Sequence, residues 1–181
     1  MIFFIPGELI SILTFPGVMI HEIAHRLFCD LFNVDVYQVC YFAPGNKTAG
    51  HVIHRKTESF FVSWCIGIAP LIINSLVCML LAFPYGCANI LGLECIALHG
   101  TFLTGVHLVI RWIGLSAGFN AFPSLQDIEG LSELTNGLGS KLVFFCTQLI
   151  VMLFNINYIG WMLRVGFTYA LVCLLPIIIL F

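Results

Sequence analysis

Charge is the scarcest thing in this chain. Lysine and arginine number 7, and aspartate and glutamate 9, among 181 residues, 9% in all, where a typical soluble domain carries about 25%. Such a composition excludes an ordinary water-exposed globular surface. The net charge of −2 and pI near 6.3 come with no basic run, so no nucleic-acid partner is expected. The eight cysteines at 29, 40, 65, 78, 87, 95, 146 and 173 show no CxxC spacing, which excludes the common cysteine-based zinc and redox motifs. Most fall in apolar runs, where a free cysteine packs as a small hydrophobe, and they are read as reduced. A basic leader is also missing, and Pro6, Gly7 and Glu8 interrupt the apolar start, so no cleaved signal peptide is expected.

What the chain has in abundance is apolar length. Hydrophobic residues make up 60% and the mean hydropathy is +1.05. A spanning helix takes roughly 20 apolar residues, so the length accommodates about four to six spans. The expectation is an all-α integral membrane protein, one domain over 1–181, with no appended soluble module. Spans are expected at about 8–32, 59–83 and 90–115, the second closed by Pro84-Tyr85-Gly86. Residues 141–181 hold two more, broken at Asn155-Ile156-Asn157, which makes about five transmembrane helices. Pro16-Gly17, one turn before His21, should kink or unwind the first. Between the first and second spans, 34–55 changes character. Val34, Val36, Tyr37, Val39, Tyr41 and Phe42 favour strand, Pro44-Gly45-Asn46-Lys47 is a turn signal, and 51–54 returns, so a small β-hairpin is expected. Residues 116–140 read as a polar, glycine-rich loop.

With five spans, Arg26, Lys47, Arg55, Lys56, Arg111 and Lys141 fall on or near one side, Arg164 alone being ambiguous. The positive-inside rule makes that side cytoplasmic. The end of the first helix and the 116–140 loop then face the same side.

Chemistry concentrates at His21-Glu22-Ile23-Ala24-His25, an HExxH. On a helix this spacing sets two imidazoles one turn apart on one face, able to bind one Zn²⁺, with the glutamate placed to take a proton from water. Three ionisable groups in an apolar helix mark a functional site by default. A catalytic zinc site usually has three protein ligands. The third is to be sought among Asp127, Glu129, Glu133, His99, His107, His51 and His54. Asp127 is favoured because its segment is brought to the side where the HExxH helix ends, with Glu129 or Glu133 as the alternatives for a site with a glutamate ligand.

Three stretches in order resemble the site-2 protease class of intramembrane zinc metalloproteases: the HExxH at 21–25, Gly67-Ile-Ala-Pro70-Leu-Ile-Ile-Asn74, and Asn120-Ala-Phe-Pro123 leading to Asp127. The spacing is one residue longer between Pro70 and Asn74 and one shorter between Pro123 and Asp127, and Ile128 stands where the family has glycine. The resemblance covers about 8–130. It implies β-strands between the first two core helices and a zinc ion held by His21, His25 and Asp127, with Glu22 as general base. It further implies a transmembrane protein as substrate, an active site nearer the cytoplasmic side, and Asn74 or Asn120 as hydrogen-bond donors to the oxyanion or the substrate backbone. The rival expectation is a membrane protein that binds metal or transmembrane partners without cleaving them. Such a protein has no need of Glu22, which is present.

Overall fold

The computed structural model describes residues 7–45, 49–90 and 101–180. The elements run α1 (Gly7–Leu13), α2 (Phe15–Leu31), β1 (Val36–Cys40), β2 (His51–His54), α3 (Phe60–Ile90), α4 (Thr101–Phe119), two 3-10 turns (Gln126–Ile128 and Leu131–Leu134), α5 (Leu138–Asn155) and α6 (Asn157–Leu180).

The expected kink in the first segment is real but comes earlier than the Pro16-Gly17 pair. The chain bends by 86° between α1 and α2, and Pro16 lies inside the first turn of α2, where its missing N–H is not needed. Side chains of α4 brace the break. Ser116 Oγ donates to Thr14 O and accepts from Gly17 N, both at 2.7 Å, and Trp112 Nε1 donates to Leu13 O at 2.8 Å.

At its far end α2 stops in a Schellman motif. Val34 N donates to Cys29 O and Asn33 N to Asp30 O, at 2.8 and 3.2 Å, with Asn33 at φ 54°. Asparagine tolerates that left-handed turn better than most residues. The apolar contact that accompanies the motif is Cys29 against Val34, extended by Ile66 of α3. The chain then enters the expected hairpin, antiparallel, with Val39 opposite Val52, Cys40 opposite His51 and an irregularity between Val36 and Gln38. Its open end is tied by Arg55 N to Asp35 O and by the Arg55–Asp35 ion pair, at 2.8 and 2.9 Å.

The second span was expected to close at Pro84, yet α3 continues to Ile90. A proline removes one intrahelical hydrogen bond, which a buried apolar helix tolerates when neighbours hold it. Here α6 does so: a Cβ on Gly86 would lie 2.2 Å from Val172 O, so the two backbones are almost in contact. The third expected span, about 90–115, corresponds to α4, which runs on to Phe119. Its beginning, with Glu94 and His99, lies outside the described residues. The break at 155–157 occurs as expected and separates α5 from α6.

Three helices are long and apolar enough to cross a membrane, Phe60–Gly86, Leu138–Asn155 and Ile159–Ile179, or four if the bent α1–α2 pair is one span. Gly105–Phe119 is apolar but shorter. Five spans are thus three to four by length and composition among the described residues. The outward side chains fit this reading: Leu142, Phe145, Leu149 and Met152 of α5 are exposed, an apolar surface unsuited to water. The interior is built from small residues, with Ala24, Ala69, Cys78, Ala82 and Ala117 essentially buried, as expected where helices pack without a hydrophobic driving force. One cluster, Cys78, Ala117 and Leu171, joins α3, α4 and α6; another, Ile128, Leu131 and Val151, fastens the loop after α4 to α5.

Candidate metal centre

The 3.6-residue helical repeat of α2 puts His21 and His25 on one face, and the loop after α4 brings Asp127 to meet them. His25 Nε2 lies 3.2 Å from His21 Nε2. Asp127 spans the pair, Oδ2 at 3.4 Å from His21 Nε2 and Oδ1 at 3.3 Å from His25 Nε2. One ligand atom from each residue falls within 4.8 Å of the others, close enough to share one ion.

The other ring nitrogens decide what these atoms offer. His21 Nδ1 is 2.9 Å from Asn120 O, and His25 Nδ1 is 2.8 Å from Ile66 O. A carbonyl oxygen can only accept, so each Nδ1 carries a proton, and in its neutral form each ring presents a bare Nε2 inward. Two bare nitrogens and an acceptor-only carboxylate then converge with no donor between them. Such a set repels itself unless a cation, or an added proton, sits at its centre. The same carbonyl contacts fix the ring planes, as outer-shell partners do in metal sites. Two imidazoles and one carboxylate therefore fit a divalent metal.

Asp127 lies in the loop, outside the spanning helices. Burial pushes its carboxyl up, but hydrogen bonds from the two imidazoles, once an added proton makes their Nε2 atoms donors, outweigh this and hold it well below the usual carboxylate range. A reciprocal pair aims it: Ser124 N donates to Asp127 Oδ2, and Asp127 N to Ser124 Oγ. Ser124-Leu-Gln-Asp127 has the form of a capping box, legible in the sequence. Gly67 of α3 admits the loop; a Cβ there would lie 2.7 Å from Asp127 O.

Glu22, next to His21 on α2, is buried. The hairpin covers it, with a Cβ on Gly50 falling 2.6 Å from Glu22 Cγ and 2.8 Å from Oε1. His21, Glu22, His25 and Asp127 open on a cavity of about 610 Å³ between α2, the hairpin and the loop after α4. A second, mostly apolar cavity, of about 780 Å³, lies between the α1–α2 bend, α3, α4 and α6, has Arg111 in its wall and holds none of these groups.

The remaining sequence candidates separate. His51, His54 and Glu129 line the first cavity without joining the three-residue group. Glu133 is exposed. His107 is engaged elsewhere, its Nδ1 and its carbonyl oxygen meeting Tyr85 Oη at 3.1 and 2.7 Å. His99 lies outside the described residues.

Asn74 and Asn120 are placed differently from the oxyanion donors the resemblance implies. Asn74 is fully buried, and its Nδ2 faces Gly17 O, Ala117 O and Asn120 O at 3.0, 3.3 and 3.2 Å. Asn120 Nδ2 faces Ser116 O at 2.9 Å and Thr14 O at 3.4 Å. Their amide hydrogens are committed to backbone carbonyls, and Asn120 reaches the site through its own carbonyl on His21. Asn74 binds α2, α4 and the ligand loop to α3. Asn74→Ala is expected to cost about 1–3 kcal/mol, since three buried carbonyls would each lose one of their donors, measured as a lower midpoint of denaturation in detergent. Gly50 and the imidazole acceptors Ile66 O and Asn120 O carry no local sequence signal.

The chain matches no protein-family model, no curated protein and no solved structure.

Proposed function

We propose that this chain is an intramembrane zinc metalloendopeptidase, similar to the site-2 proteases, that hydrolyses peptide bonds in or near transmembrane segments. One observation carries the reading: the Nε2 atoms of His21 and His25 and the Asp127 carboxylate converge beside buried Glu22 in a chain with only 9% charged residues. Zinc suits a His, His, carboxylate set that leaves a coordination position open.

His21, His25 and Asp127 would hold the ion, which when bound supplies a Lewis acid that lowers the pKa of water to about 7 and polarises a carbonyl. Glu22 takes the proton from the attacking water and returns it to the leaving amine. The hairpin over Glu22 limits the water around that carboxylate. Asn120 O and Ile66 O hold the two rings in one tautomer through the cycle. A helical substrate hides its carbonyls in its own hydrogen bonds and must unwind first. Each strand of a two-stranded sheet has one unpaired edge, on which an unwound segment can pair. The distribution of basic residues favours a site nearer the cytoplasmic face.

The test is hydrolysis of a pool of unstructured fluorogenic peptides by the purified, detergent-solubilised chain. Activity should vanish with a chelator and return with Zn²⁺. Stoichiometric metal without hydrolysis of any peptide would make this a metal-binding membrane protein instead.

A further inference from the structure

Arg164 differs from the other described arginines. Arg26 and Arg55 pair with Asp30 and Asp35 at the surface, and exposed Arg111 lies over the Tyr85 ring. Arg164 is partly buried in α6, and among the described residues no carboxylate lies within 4.0 Å of it. Its Nε donates to Phe154 O at 3.1 Å, Nη1 to Phe119 O at 3.4 Å and Nη2 to Asn155 Oδ1 at 3.4 Å. Phe119 ends α4 and Phe154 lies in the last turn of α5, so the guanidinium rests on two helix C-termini, each worth roughly half a negative charge. That accounts for its place in the fold. It does not use the group up: an arginine has five N–H donors in a planar fork, and three are engaged, two of them at long range.

The side chain lines the same cavity as His21, Glu22 and Asp127. A sphere of that volume is roughly 10 Å across, the span of about three residues of extended chain. The cavity is also lined by the carboxylates of Glu22, Asp127 and Glu129; Asp127 faces the imidazoles, and none of the three lies within 4.0 Å of the guanidinium. A partly buried cation with only partial charges around it gains most from a full negative charge, and the guanidinium fork matches a carboxylate in two-point contact.

We infer that Arg164 is a specificity residue that binds a carboxylate of the substrate, within about three residues of the bond that is cut. This rests on reading the cavity as a peptide-binding site. The carboxylate is either an acidic side chain or a chain terminus, and the two are distinguished by the probes.

The experiment uses the full-length chain in detergent, carrying Glu22→Gln so that peptides are held uncut. Binding of fluorescent extended peptides is followed by anisotropy. The probes are one sequence with Glu or with Gln at the third position from its centre, each with a free or an amidated C-terminus. The Glu peptide, or the one with a free terminus, should bind about tenfold tighter or more than its neutral counterpart, the scale of one charge-assisted hydrogen bond. Arg164→Gln should erase that ratio, Arg164→Lys should keep part of it, and Arg164→Glu should turn it toward a Lys-bearing peptide. Loosened packing weakens all probes together and leaves the ratio unchanged, so the ratio is the readout. Equal binding of charged and neutral probes while Arg164 is intact overturns the inference, as does a preference that survives Arg164→Gln. An Arg164-dependent preference in a protein that hydrolyses nothing upholds the carboxylate contact at Arg164 and sinks the peptidase reading. Hydrolysis by the unsubstituted chain without charge discrimination does the reverse.

Discussion

Asp127→Ala is expected to strip the metal from the purified protein, and Glu22→Gln to leave it in place. Asp127 supplies the only carboxylate between His21 Nε2 and His25 Nε2 among the described residues. Without it two neutral rings remain, and affinity should fall by more than the about 10–100-fold that loss of an outer-shell partner costs. His25→Ala should behave the same way. Glu22 is no member of the ligand group, and glutamine keeps its size, so the ion should stay while hydrolysis drops by about 10²–10⁴-fold, the range for a general acid–base residue. Elemental analysis of the three proteins beside the unsubstituted chain, prepared without chelators, reads the first half. Peptide turnover reads the second. About one zinc per chain in the unsubstituted protein and in Glu22→Gln, and near none in Asp127→Ala, is the expected pattern. Metal retained in Asp127→Ala would move the third ligand to another acid, Glu129 being the one that lines the same cavity. Metal lost in Glu22→Gln would make Glu22 a ligand and remove it as the base.

How far the sequence reaches depends on how local each cause is. The His21–His25 pairing follows from helical repeat alone, and the hairpin from β-branched and aromatic residues around a Pro-Gly turn. The α5–α6 break at Ile156 follows from two asparagines in an apolar run. Asp127 is separated from His25 by most of the chain, and two long-range arguments pointed to it: the side on which its loop must lie, and the resemblance to a metalloprotease motif. Pro84 misleads because the rule that proline ends a helix is local, while the packing of Gly86 on α6 that keeps α3 intact is not. The bend falls at Thr14 rather than at Pro16, and at the bend Trp112 of α4 takes up Leu13 O while Ser116 bridges Thr14 O and Gly17 N. Arg164 is illegible for the same reason: its meaning depends on two helix ends that only tertiary structure brings to it. The paired asparagines show the converse. Their residue type suits an oxyanion donor equally well, and only the structure shows the amides turned to backbone carbonyls.

The close backbone approaches around the centre lead to the other large effect, from residues with no side chain at all. A Cβ on Gly17 would lie 2.0 Å from Ser116 O and 2.4 Å from the carbonyl carbon. Both are backbone atoms of α4 and cannot rotate away, so Gly17→Ala must push α2 and α4 apart. The same helix pair carries the Ser116 bridge at the bend, and just past α4 lies the Asn120 carbonyl on His21. Overpacking of this kind should cost about 3 kcal/mol and also release the His21 ring, so denaturation midpoint and metal content should fall together. Gly67→Ala tests the other ligand. Its Cβ would meet Asp127 O at 2.7 Å, in a loop that can yield more readily than a helix. Metal affinity should then drop about 10–100-fold, as for disturbed outer-shell positions, with a smaller loss of stability. Gly166→Ala is the control: it is helical and exposed, with nothing within 4 Å of an added Cβ, and alanine should be neutral or stabilise by up to about 1 kcal/mol. Metal titration and detergent denaturation of the three variants separate the cases. If Gly17→Ala binds metal as tightly as Gly166→Ala, then contact between α2 and α4 does not hold the centre, and His21 must be positioned by α2 alone.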